Sequence, residues 1–428
     1  MSKTPIARAV AMATLGASVT LPTLAHADFI NDSKASVELR NFYFNRDFRS
    51  STPAQQSKAE EWAQGFILRF ESGYTEGTIG VGVDAIGMLG LKLDSSPDRT
   101  GTGILPKTAS GDAPDDYSKL GLTAKLRYEK NTLKVGTLIP KLPVIVPNDS
   151  RLLPQVFLGT AVNSTQIDGL TLDGGRLNKT NRRDSTDYED MTVTTGGKKN
   201  ITVRSGTTTN EFYFGGGTYQ WNKNFSTGYH YGQLDDFYKQ HFLSATYNLP
   251  ITDGQSLKTD LRWARSKDDG SASNIDNKAL NAMVTYNLGY HAFGVGYQKM
   301  SGDTGFAYIN GTDPYLVNFV QINDFANKDE KSWQARYDYN FAGLGIPGLT
   351  FMTRYIKGDD IDLLTTSGTG KEWERDTDIA YVFQDGALKG LGVKWRNATT
   401  RSNFSNNTAS GNYADENRLI VSYTMPLW

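Results

Sequence analysis

The segment ENRLIVSYTMPLW, residues 416–428, decides how the rest of the chain is read. Leu419, Val421, Tyr423, Met425 and Leu427 fall on one face of an extended strand, and Trp428 follows them. Arg418, Ile420, Ser422 and Thr424 fall on the other. Side chains of a strand point alternately to opposite faces, so the pattern predicts a strand with one apolar and one polar side. Pro426 sits where ladder bonding is ending, which tolerates a missing N–H. A closing strand with a terminal aromatic is typical of outer-membrane barrels. It implies outer-membrane lipids and the barrel-assembly machinery as partners, the latter through this strand.

The same alternation recurs outward from there. Trp333, Ala335, Tyr337, Tyr339 and Phe341 alternate with Ser332, Gln334, Arg336, Asp338 and Asn340. Leu122, Ala124, Leu126 and Tyr128 alternate with Thr123, Lys125, Arg127 and Glu129. Such segments, from 35–48 to 413–427, predict 18 antiparallel strands, even as a single-chain bacterial barrel requires. The stretch 155–178 reads most simply as one strand, and an even count demands a tight turn near Asp168-Gly169. Short turns near Lys130-Asn131, Asn222-Lys223, Thr252-Asp253-Gly254, Gly289-Tyr290 and Asp385-Gly386 alternate with long polar loops near 95–117, 139–155, 179–207, 302–329, 358–371 and 402–412. Short periplasmic turns on one rim and long extracellular loops on the other are what a transmembrane β-barrel shows. Tyr128, Tyr247, Tyr286, Tyr297 and Tyr355 are candidates for its aromatic girdles. Eighteen strands leave an aqueous channel.

Composition narrows the alternatives. Beyond the leader, no run of about 20 apolar residues offers a spanning helix. With 22 Tyr, 20 Phe and 7 Trp, the chain carries too many aromatics for disorder. Its lack of Cys excludes disulfide scaffolds and thiolate metal sites, and no metal site or cofactor is expected. Basic and acidic residues balance at 45 against 46, which argues against nucleic acid as a partner. Lys3 and Arg8, an apolar run to Leu24 and the small-x-small Ala25-His26-Ala27 predict a cleaved secretory signal over 1–27, with the barrel domain over 28–428.

Several segments carry a resemblance. LRNFYFNRDF (39–48), PNDSRLLPQ (147–155), KSWQARYDYN (331–340), GIPGLTFMTRYIKGDDID (345–362) and ENRLIVSYTMPLW (416–428) resemble OprD-family porins of pseudomonads. The resemblance spans the chain beyond its leader. It implies an 18-stranded barrel, monomeric or trimeric, that passes small carboxylate-bearing solutes. DSTDYEDM (184–191), TNEFYFGGG (209–217) and DPYLVNFVQINDFAN (313–327) look closer to the OccK branch, for cyclic or aromatic carboxylates, than to the OccD branch, for basic amino acids.

Strand parity locates the charges. Val37 and Leu39 face lipid, so Glu38, Arg40 and Arg46 face the lumen; Leu391, Val393 and Trp395 face lipid, so Lys394 and Arg396 face the lumen. Arg418 does so in the last strand, which closure places beside the first. Arg40 and Arg46 are separated by roughly 15 Å along the pore at ~3.3 Å per residue and ~40° tilt. This predicts a basic ladder of Arg40, Arg46, Lys394, Arg396 and Arg418, in keeping with the resemblance. A guanidinium grips a carboxylate through two parallel hydrogen bonds, and spaced sites let an anion advance stepwise. The competing reading is that these cations balance luminal acids such as Asp260, Asp338, Asp376 and Asp378.

Pro140, Pro143, Pro147 and Pro154 stiffen the loop that holds Asp149 and Arg151. By resemblance this loop folds inward, and Asp149 and Arg151 line a constriction, unless they pair with each other. Arg183 and Asp313, in two other long loops, are further candidates for it. The rival class is a hydrolase built in a barrel. His230 shares a face with Ser226, but no GxSxG or HExxH spacing occurs. A secreted soluble β protein is a further alternative, separated by solubility without detergent. The reading favoured is a non-enzymatic, outer-membrane, substrate-selective porin.

Overall fold

A computed structural model describes residues 26–51, 55–365, 367–404 and 413–428. The expected leader lies outside these residues except for its last two positions, which open a short helix α1 (His26–Asn31). Most of the loop near 402–412 also lies outside them.

Eighteen strands follow: β1 (Lys34–Phe48), β2 (Lys58–Glu71), β3 (Ile79–Asp94), β4 (Asp116–Tyr128), β5 (Asn131–Leu138), β6 (Val156–Ser164), β7 (Leu170–Asn181), β8 (Phe212–Asn222), β9 (Phe225–Leu234), β10 (Tyr238–Thr252), β11 (Gln255–Asp268), β12 (Asp276–Leu288), β13 (His291–Ser301), β14 (Lys331–Asn340), β15 (Leu349–Asp362), β16 (Thr369–Val382), β17 (Gly392–Ser402) and β18 (Tyr413–Pro426). Each pairs antiparallel with its chain neighbours, and β1 pairs with β18, so the sheet is a closed barrel with no free edge. Closure sets Leu39 opposite Tyr423, Phe44 opposite Arg418 and Arg46 opposite Glu416.

The demanded turn between β6 and β7 is present, with Gly169 at φ +79°, a conformation that favours glycine. Two of the boundaries that depart from the alternation have a visible cause. β8 starts at Phe212 because Thr209, ahead of it, pairs with Met191 of a loop. β15 runs on to Asp362 because a bulge after Gly358 shifts the register; Asp360 there has φ +65°. A bulge breaks strict alternation, so the sequence pattern stops short of it.

The outer face is apolar and open. Leu120 is 72% exposed, Val295 67% and Leu122 60%. So many exposed apolar side chains on one continuous wall would be untenable in water and suit a lipid bilayer. Tyr128 and Tyr247 stand near the short-turn rim and Tyr297 and Tyr355 toward the long-loop rim, matching two girdles.

The interior is less empty than 18 strands alone suggest. The long loops fold inward and build a core against the wall. Val144 and Ile145 of the loop 139–155, Met191 and Val193 of the loop 182–211, and Phe306 and Ile309 of the loop 302–330 pack on Phe157, Leu177, Phe212 and Phe242 of the barrel. Val193 pairs with Ile309 by a β-bridge. Lys199 crosses from one loop to Asp324 of the other at 2.7 Å, and the Tyr308 hydroxyl donates to Asp324 at 2.8 Å. A second cluster joins Phe42, Phe44 and Ile67 of the wall to Ile104, Leu152 and Leu153 of the loops. The passage left open is therefore shaped by loops, and its charged lining lies on the wall opposite the larger core.

Candidate functional site: a charged constriction

Three loops meet the wall formed by β17, β18, β1 and β2. The loop 139–155 supplies Asp149, whose carboxylate accepts from Arg40 Nη1 at 2.8 Å; Arg40 Nη1 also donates to the Arg151 carbonyl at 2.8 Å. Arg40 further grips Glu38 at 2.7 Å. Asp149 thus bonds the wall and not Arg151, which answers the question of whether those two residues pair. Asp149 is half exposed and faces a cavity of about 430 Å³, lined also by Arg69, Asp84, Lys134 and Lys141.

Arg151 turns the other way. It is buried and donates to the Thr102 carbonyl and to the Ser150 carbonyl and hydroxyl, each at 3.0 Å. Its guanidinium lies 5.1 Å from the Phe44 ring centre. Arg46 and Arg418 lie 5.5 Å and 5.3 Å from the same ring. A cation over an aromatic face is attracted by the ring quadrupole. Among the described residues the one carboxylate paired to this trio is Glu416, which binds Arg46 and Arg418 and leaves Arg151 without an acidic partner. Burial first, then the neighbouring Arg418 and Arg183 cations, pulls the Arg151 guanidinium below its ordinary pKa range. The cluster is positive beyond what its own acid balances.

The five ladder residues do not sit alike. Arg46 and Arg396 are partly exposed, and Lys394 is the most open at 42%. Arg396 and Lys394 share Asp378, at 3.1 Å and 3.3 Å. Arg418, expected as a rung, is 1% exposed. Its Nη2 donates to the Gln321 carbonyl at 3.1 Å and its Nη1 to the Ser150 carbonyl at 3.4 Å, so it is a strut between two loops and the wall.

Arg183 and Asp313 reach the same region. Gly103, at φ +76°, makes room for Arg183: a Cβ there would stand 2.9 Å from Nη2. Asp313 accepts from the Asn148 side chain, and its backbone N–H donates to the Val146 carbonyl at 2.9 Å, tying the loop 302–330 to the loop 139–155. Burial pushes the Asp313 carboxyl up to about 6, against the pull of Asn148, Arg183 and Arg151. The sign follows. Above pH 6 the constriction carries this negative charge, and below it the charge is lost. Anion selectivity should therefore rise as pH falls from 7.5 to 5, read as a shift of the zero-current potential in a salt gradient. Asp313→Asn should remove most of that shift.

Some determinants escape a search for cations. Glu374, on β16, accepts the backbone N–H groups of Ile322 and Asn323, both at 2.8 Å. Asp376 accepts from Gln321 N–H at 3.3 Å and pairs with Arg354 at 2.7 Å. The Gln321 amide donates to Glu416 at 2.9 Å. These acids pin the loop 302–330 to the wall. Parity places Glu374 and Glu416 on the inner face, but the loop donors they hold, two backbone N–H groups for the first and the Gln321 amide for the second, leave no sequence signal. His230 is buried at 3% exposure, on the inner side of β9.

The outer membrane porin, OprD family profile matches residues 27–427. The chain belongs to the OprD family of outer-membrane porins. Among solved structures it is similar to OpdQ of Pseudomonas aeruginosa, at 72% identity and a TM-score of 0.86, over 94% of this chain and all of that one. It is also similar to OccK7 (OpdD) of the same organism, at 57% identity and a TM-score of 0.82, over 93% of this chain and 100% of that one. Porin D of P. aeruginosa is 39% identical over 422 residues, 93% of this chain and 92% of that protein. The 18-stranded barrel, the outer-membrane location and the porin class follow. Members of the family are non-enzymatic channels, and the rim of long loops is accordingly read as extracellular.

Proposed function

We propose that this porin passes small carboxylate-bearing solutes, aromatic or cyclic ones in particular, by passive diffusion along its Arg/Lys wall. The observation that carries the reading is the trio Arg46, Arg151 and Arg418 around Phe44, with Glu416 as the one paired acid among the described residues. An excess of fixed cations at a constriction raises the local concentration of anions. Arg40, Lys394 and Arg396 extend that field along the pore, and Asp149, Asp313 and Arg183 shape its narrow part. The cations of the trio and Arg40, Lys394 and Arg396 already have a carboxylate or carbonyl partner, so an incoming carboxylate exchanges with a fixed one there rather than meeting a bare charge. Such exchange keeps binding weak enough for release.

Similarity to OccK7 (OpdD) supports the OccK-like branch. Basic amino acids, the substrates of the other reading, gain less from this wall, because the β16 acids Glu374 and Asp376 are taken up in holding a loop. The test is uptake into liposomes at low salt, comparing benzoate-type acids, arginine and neutral sugars. Faster entry of the aromatic acids is the expected result. Arginine preference would move the chain to the other branch, and equal entry of all three would mark a general diffusion pore.

A further inference from the structure

The outer wall of β11–β14 carries cations at one level below the extracellular rim. Lys278 and Lys299 are exposed and stand between buried inward-facing neighbours: Asn277 and Ala279 for the first, Gln298 and Met300 for the second. Lys331 is likewise exposed beside buried Ser332. The register sets these lysines side by side. Lys299 is directly opposite Lys331, and Lys278, opposite Ser301, is the diagonal neighbour of Lys299. Cβ atoms stand about 4.5–5.5 Å apart in an opposite pair, and diagonal neighbours about 7–8 Å apart. Arg265 is directly opposite Lys278.

Like charges directly opposite each other destabilise a sheet. Part of this charge is relieved within the chain: Arg265 binds Asp276, and Lys331 binds Asp360 at 2.9 Å. Lys278 and Lys299 have no ion pair among the described residues. Two residues deeper, the outward positions become Leu280, Tyr297 and Trp333. Trp333 packs on Tyr355 with ring centres 5.6 Å apart, and Tyr355 on Trp373 at 5.7 Å. Aromatic belts mark the level of lipid headgroups, so the lysines stand at that level or just above it. Across the barrel, near the same rim, the outward residues include Asp47 and Asp415, which are opposite each other in register. The cations there, Arg49 and Arg401, are paired with these acids, so that among the described residues Lys278 and Lys299 differ from them in lacking an acidic partner.

We infer that this face is a lipid site, at which Lys278, Lys299 and Lys331 hold the phosphate groups of a phosphorylated, multiply acylated glycolipid of the outer leaflet. Its acyl chains lie over Leu280, Val295, Tyr297 and Trp333. Ammonium groups bind phosphate as point charges, and three of them converge on one headgroup. A bound phosphate removes the like-charge penalty that the bare sheet carries.

The test uses the full chain in a neutral maltoside detergent, with binding read by native mass spectrometry. The probes are lipid A with two phosphates, the same lipid dephosphorylated, and inorganic phosphate. We expect the bisphosphorylated lipid to bind at least tenfold more tightly than the dephosphorylated one. Lys278→Gln with Lys299→Gln should abolish that difference while single-channel conductance stays unchanged, which reports an intact barrel. Lys278→Arg with Lys299→Arg should restore it. Equal affinity for the two lipids, or undiminished discrimination in the Gln variant, overturns the site. Inorganic phosphate competing as well as the lipid would make it a free-anion site and also overturn it. Lipid-free self-association that the Gln variant loses would make the occupant the acidic face of a second copy, with the same consequence.

Discussion

Arg46→Gln lowers benzoate uptake into liposomes by about tenfold and leaves neutral sugar uptake within about twofold. Arg46 is the partly exposed member of the Phe44 trio, so it is the guanidinium that a carboxylate in the passage meets. Hydrogen bonds to a charged group contribute about 1.5–3 kcal/mol, and each 1.4 kcal/mol is about tenfold in an equilibrium. Solvent screening at a partly exposed site favours the lower end of that range. The substitution leaves Arg418 on Glu416, so the acid keeps a partner and the loops keep their strut. The barrel and its bore should be unchanged, which the sugar control reads. Equal loss of acid and sugar uptake would mean that Arg46 shapes the pore instead of attracting the solute. Raising the salt concentration should shrink the difference between wild type and variant, since screening weakens a long-range field. Lys394→Gln, farther along the wall and more open, should give a smaller loss of the same kind.

The barrel was legible in the sequence because a lipid-facing strand keeps a period of two over most of its spanning length. Leu419, Val421 and Tyr423 must all be apolar, and a single slip of register would put Arg418 in lipid. The tight turn at Gly169 was accessible by the same logic, since an odd strand would have left the ends of the chain on opposite rims. Parity also placed Arg40, Arg46, Lys394, Arg396 and Arg418 on the inner face. It could not distinguish an open rung from a buried strut. Arg46 and Arg418 belong to the same inner row, yet Gln321 and Ser150, from loops 302–330 and 139–155, cover only the second. Contacts of that kind join residues 97 and 268 positions apart in the chain and obey no period. For the same reason Lys199 and Asp324 gave no signal, although they lock two loops together. A loop's path is set by long-range packing such as Phe306 on the inner wall, and one sequence does not reveal which loop apolar residue finds which wall pocket.

Glu374→Leu should widen the channel, with open-state conductance rising severalfold and neutral sugars entering faster. Glu374 accepts two backbone N–H groups, from Ile322 and Asn323, and Leu accepts neither. A buried donor left without an acceptor costs about 1–3 kcal/mol. Two such donors make the docked position of residues 321–323 unfavourable against one in which water satisfies them. Gln321 holds the adjacent Arg418 and Glu416, so release of this segment also loosens the Phe44 trio. The variant should therefore lose discrimination between acids and sugars while gaining flux for both, a signature opposite to that of Arg46→Gln. The barrel itself should persist, because β16 keeps its backbone ladders to β15 and β17 and its outward side chains are untouched. Glu374→Gln offers an amide oxygen that can keep at least one of the two bonds, and its conductance should fall between wild type and Glu374→Leu. Conductance unchanged in both variants would show that the packing of Val320 and Phe325 on Ile356 suffices to hold the loop, and that the carboxylate is not its latch.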